Sequence, residues 1–181
     1  MWVLIVIGVL VLAGVLAFPA LKKQTKKASP EQVVEFAQGG LDLEVFYCRP
    51  SKKGRDVFGG LVPYGEVWRT GANEATTFET ATDIKINDQT LPAGKYTLWT
   101  IPGEKNWEII FNEKMYGWGV SFSAKSSIER EFDKLVVKVP ASAAQSEVEM
   151  FTITFQEGDS TRSNSMNLSW DKTLVTVPIS Q

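Results

Sequence analysis

The chain has 181 residues, room for one domain and a tether, with the 44% hydrophobic and 22% charged content of a folded globular protein. It contains no histidine, which excludes Ser-His-Asp and Cys-His catalysis, imidazole metal sites and histidine pH switching, and its single cysteine, Cys48, excludes an intrachain disulfide. The net charge is −2, yet four of the 19 basic residues (Lys22, Lys23, Lys26, Lys27) precede every acid; from Glu31 onward 15 basic residues meet all 21 acidic ones, a net of −6 that repels a phosphate backbone and argues against nucleic acid as a partner.

Residues 1–21 carry no charged side chain and are dominated by Val, Leu and Ile. A helix of that length spans about 30 Å, the thickness of a bilayer's hydrocarbon core, with Trp2 and the lysine cluster suited to the two interfaces. The segment is therefore expected to be a single-pass transmembrane helix with membrane lipid as its partner. A cleaved signal peptide fits less well, because no Lys or Arg precedes the apolar run and Pro19 closely follows Val15-Leu16-Ala17. The lysines would hold the following domain on the cytoplasmic side. Residues 22–31 read as a short solvated linker.

From residue 32 to 181 the pattern is that of strands. Val33 to Gln38 and Leu41 to Tyr47 flank Gly39-Gly40, a two-residue hairpin turn, and Leu41, Leu43, Val45 and Tyr47 alternate with Asp42 and Glu44. Further runs cover Thr76 to Ala81, Ile84 to Asn87, Lys95 to Ile101, Trp107 to Phe111, Lys134 to Val139, Glu149 to Gln156, Met166 to Trp170 and Thr173 to Ile179. About ten short strands predict an all-β domain, an antiparallel, jelly-roll-like β-sandwich.

One segment, residues 49–76, breaks the pattern. It holds five glycines (Gly54, Gly59, Gly60, Gly65, Gly71) but also Phe58, Tyr64 and Trp68, the composition of an ordered loop rather than a floppy linker. Five basic residues (Arg49, Lys52, Lys53, Arg55, Arg69) stand against three acids (Asp56, Glu66, Glu74), a local positive patch suited to a small polar or anionic ligand, or to a partner protein.

The stretch Phe58-Gly59-Gly60-Leu61-Val62-Pro63-Tyr64-Gly65-Glu66-Val67-Trp68-Arg69-Thr70-Gly71-Ala72-Asn73-Glu74-Ala75 closely resembles the central signature of the bacterial family called domain of unknown function 2911. Tyr47-Cys48-Arg49-Pro50-Ser51, Leu91 to Tyr96 and Thr100 to Lys105 are similar to its other landmarks, and the resemblance spans roughly residues 31–178. It implies a β-rich domain of exported or membrane-tethered proteins of the cell envelope, hence an extracytoplasmic (periplasmic) side, opposite to the lysine rule. It implies no activity.

Candidate ligand-binding residues are Arg49, Arg55, Tyr64, Trp68, Arg69, Asn73, Glu74 and Trp118. Arg69, Asn73 and Glu74 form the sharpest group: Arg69 would grip an anion while the others complete the hydrogen bonds, or Arg69 and Glu74 would pair and staple the loop. Glu66 and Glu74 would serve a histidine-free, glycan-directed hydrolase if about 5–10 Å apart. Trp99 and Trp107, placed in strands, are expected in the core, whereas Trp118 sits in a second glycine-broken loop. Cys48, beside Arg49, is either an activated thiolate or a small buried hydrophobe. No cofactor and no metal are called for. Three roles follow: a binding module, that hydrolase, or a structural envelope domain whose loop closes the sandwich.

Overall fold

The computed structural model describes residues 24–121, 125–159 and 161–181. The expected anchor over 1–21 lies outside the described residues; among these, no helix is long and apolar enough to cross a membrane.

The described chain is all-β and antiparallel, with nine strands in one hydrogen-bonded sheet. These are β1 (Glu31–Gln38), β2 (Leu41–Cys48), β3 (Thr77–Thr80), β4 (Ile84–Ile86), β5 (Gln89–Leu91), β6 (Gly94–Ile101), β7 (Asn106–Asn112), β8 (Asp133–Gln156) and β9 (Asn164–Ser180). Their spatial order is β1-β2-β3-β6-β7-β8-β9-β4-β5. The first hairpin turns on Gly39 and Gly40 at φ +58° and +77°, a backbone open to glycine at little cost, and Leu41, Leu43, Val45 and Tyr47 are all buried as their alternation requires.

The expected ten strands become nine for two reasons. The runs at 134–139 and 149–156 are one strand, β8, and those at 166–170 and 173–179 are one strand, β9. The apolar pattern lapses between each pair, but backbone pairing continues through register shifts at Ala143/Val148 and Val148/Thr152, which bend the strand without ending it. Conversely, β5 went unread: Asn87 and Asp88, at φ +47° and +65°, form a tight turn that pairs Ile86 with Gln89.

Hydrogen bonding runs through all nine strands, in place of two separate sheets, and the β1–β2 end of the order folds over onto β8. Phe36 of β1 lies 5.4 Å from Phe155 of β8, and the Tyr47 hydroxyl on β2 accepts from the Ile153 backbone N–H at 2.9 Å. One apolar core, from Phe36 and Val45 through Phe78 and Phe111 to Phe151 and Val177, fills the fold between them. A second, smaller cluster of Ala75, Trp99 and Ile110 is covered by Val67, Tyr116 and Ile128 from loops. Trp99 and Trp107 thus belong to different clusters, at 0% and 1% exposure.

Part of the segment expected as a linker is described. Residues 24–28 form a helical turn, Ser29 is buried, and the Pro30 carbonyl accepts from the Arg49 N–H at 2.9 Å. The segment is packed down because Asn73, from the distant loop, supplies hydrogen bonds that a solvated tether would take from water.

Candidate functional site

The 49–76 segment is a crossover from β2 to β3 whose two ends are stitched to different parts of the sheet. At its start the Phe151 N–H donates to the Pro50 carbonyl and the Lys52 N–H to that of Glu149, at 2.9 and 2.7 Å. At its end Trp68 and Thr100 exchange backbone bonds of 2.7 and 2.9 Å, so Trp68 continues the ladder along β6. Gly71 presses on the end of β2: a Cβ there would lie 2.9 Å from the Cys48 carbonyl oxygen, a close approach that only glycine permits.

Aromatics pin the middle. The Phe58 ring is 4.7 Å from Trp107 and 6.0 Å from both Trp68 and Trp170. Trp68 lies 4.9 Å from Phe151 and stacks on Trp170 at 5.9 Å, while its indole N–H donates to the Gly71 carbonyl at 3.0 Å. Such offset and edge-on pairs add specific stabilisation to the area they bury.

A cavity of about 570 Å³ opens under this crossover. Its wall carries three cations, Lys53, Arg55 and Arg69, and one acid, Glu66, among mainly apolar residues such as Leu61, Val67 and Trp68. Ala28 and Ser29 of the N-terminal segment complete it, residues that the linker reading had set aside.

Half-buried Arg69 donates from Nη1 to the Trp118 carbonyl at 2.8 Å. Among the described residues no carboxylate lies within ion-pair distance of it. Burial pulls its guanidinium below the ordinary value, outweighing the opposing influence of Cys48 and Glu74. The expected staple between Arg69 and Glu74 is thus not formed: Glu74 pairs with Lys26 at 3.4 Å and accepts from the Cys48 thiol at 3.5 Å.

Of the eight candidate residues the cavity brings together Arg55, Trp68 and Arg69. Arg55 reaches it from the rim, its guanidinium hooked onto the Lys52 and Ser51 carbonyls at 2.9 and 2.7 Å. Arg49 instead ties the loop to β8, through the Phe151 carbonyl at 3.2 Å and the Thr152 hydroxyl at 2.8 Å. Asn73 is buried and donates to the Ser29 and Thr25 carbonyls at 3.2 and 3.4 Å. Exposed Tyr64, whose ring lies against Gly59, and Trp118 are not on the cavity wall. Nor is Glu74, so the cavity presents only one of the two carboxylates that the hydrolase reading pairs.

Cys48 is fully buried, and burial first, the Glu74 carboxylate second, push its thiol up to about 11. It is the small buried group of the two alternatives, since Arg49 points its charge at β8. Metal-ligating atoms of Glu31, Cys48 and Glu74 lie within 4.8 Å of one another, but the Lys26 ammonium already bonds both carboxylates. In the folded state the thiol keeps its proton to higher pH than its ordinary value of about 9, so folding is favoured less as pH rises from there toward 11. The thermal midpoint is expected to fall across that interval, and less steeply in Cys48→Ser; parallel slopes in the two proteins would contradict it.

These features define an all-β domain closed at one end by an aromatic-pinned crossover over a basic cavity. The chain matches the model of the family described as "Protein of unknown function (DUF2911)" over residues 29–179, and it belongs to that family. No curated protein and no solved structure matches it.

Proposed function

We propose that this domain is a binding module that takes a small anionic ligand into the cavity under the 49–76 crossover. The observation that carries the reading is Arg69: a half-buried cation on the wall of a cavity of about 570 Å³, with no carboxylate partner among the described residues. A half-buried guanidinium whose burial outweighs the more distant Glu74 carboxylate is an unfavourable arrangement that a bound anion relieves. The volume falls in the range of about 300–1,000 Å³ typical of small-molecule sites. The test is calorimetric titration of the full chain, in nanodiscs of zwitterionic lipid, with phosphate and with citrate. Binding of either is expected, weakened at least about tenfold in Arg69→Gln, which keeps a donor for the Trp118 carbonyl but no charge. Absence of binding to both anions would leave the crossover a mere closure of the sheet, a role that Arg49 and Asn73 already serve.

We further propose that residues 1–21 tether this module to a membrane with the domain on the extracytoplasmic side. The support is the uncharged apolar length of that segment and the family membership; the adjoining lysines favour the opposite side. The chain is expected to stay in the membrane fraction through alkaline extraction and to be digested by protease added to spheroplasts. Release into the supernatant would refute the tether, and protection from protease would refute the side.

A further inference from the structure

Resting on the anion site just proposed, the geometry points to a narrower ligand class: an amphipathic anion, its carboxylate or phosphate head held by Arg69 and a short apolar body lying along Leu61 and Val67.

Three observations on the cavity wall combine. First, Arg69 spends one donor on the Trp118 carbonyl, and among the described residues no fully buried side-chain polar atom lacks a partner. Its remaining N–H groups therefore face accessible space, where a head group can meet them. Second, Leu61 is 42% exposed on that same wall. Its exposure is built in: the Leu61 N–H donates to the Asp56 carbonyl at 2.9 Å, and the turn is held from below by Phe58 in the aromatic cluster. An apolar side chain fixed on the same cavity wall as a cation is the complement of a ligand with both characters. Third, the volume of about 570 Å³ is far more than an inorganic anion fills, and Val67 and Trp68 extend the apolar lining. Glu66, the one acid on the wall, disfavours a second negative charge at the far end of the ligand. A single charged head with an uncharged body meets all three conditions.

Such an amphiphile can come from solution or from lipid, and the experiment separates the sources. The full chain in zwitterionic nanodiscs is titrated with acetate, propionate, butyrate and hexanoate, and with inorganic phosphate as a reference. Affinity is expected to rise about threefold to fourfold per methylene, with the whole series weakened in Arg69→Gln and the slope reduced in Leu61→Ser. The same hexanoate titration in nanodiscs containing phosphatidic acid reads the source: competition by the lipid assigns the head group to the bilayer, unchanged affinity assigns it to solution. A flat series with phosphate still bound would overturn the amphipathic class and leave the anion site standing. A rising series indifferent to Arg69→Gln would overturn it too, as unspecific apolar adsorption. Failure of every anion, phosphate included, would remove the underlying site.

Discussion

Trp68→Ala is expected to destabilise the domain by about 3–5 kcal/mol, the usual cost of truncating a packed tryptophan, and so to lower the thermal midpoint by roughly 10 °C or more for a domain of this size. Trp68 is only half-buried, which alone would suggest a smaller effect. Its ring, however, touches Phe58, Trp107, Phe151 and Trp170, and its backbone continues the ladder at Thr100. Removing the indole strips one wall from each of those rings and leaves the Gly71 carbonyl without its donor. Trp68→Phe should recover much of the packing but not the hydrogen bond, leaving a deficit of about 1–2 kcal/mol. Thermal melts of the three proteins decide it: a midpoint within a degree or two of wild type for Trp68→Ala would mean that the crossover is not held by this cluster.

That result bears on how far the sequence could be read. Strand alternation from Leu41 to Tyr47 and the Gly39-Gly40 turn were legible because both are local rules, period two and tolerance of positive φ. Merging of the runs into β8 and β9 was not, because a bulged strand keeps its backbone pairing after its apolar pattern stops, and the partner that maintains it is remote in sequence. In the site, glycine and aromatic content marked the 49–76 crossover as ordered, and charge marked it as basic. What each charge does was beyond local reading: Arg49 and Arg69 are the same residue type in the same loop, yet one is spent on β8 carbonyl and hydroxyl groups and the other faces a cavity. The Asn87-Asp88 turn was a signal visible in the sequence itself, two residues that tolerate positive φ between Ile84-Lys85-Ile86 and Gln89-Thr90-Leu91.

Asn73 offers the sharpest test of the packed N-terminal segment. Its side-chain amide bonds the Ser29 and Thr25 carbonyls at 3.2 and 3.4 Å, and its backbone sits at φ +56°, where a β-carbon other than that of asparagine or aspartate is strained. Two consequences can be separated by choosing the replacement. Asn73→Gly keeps the backbone comfortable and removes the side chain's bonds to this segment; since both are long, a loss of about 1–2 kcal/mol is expected. Asn73→Ala adds the left-handed strain, about 1 kcal/mol more. In both variants residues 24–30 lose their latch, so trypsin should cut after Lys26 and Lys27 several-fold faster than in wild type, while cleavage within the sheet stays slow. Because Ala28 and Ser29 form part of the cavity wall, anion affinity should fall along with that protection. Unchanged cleavage in Asn73→Gly would mean that the ion pairs of Lys26 with Glu31 and Glu74 hold the segment alone. Lost protection with intact affinity would separate the latch from the cavity, leaving the site to the crossover itself.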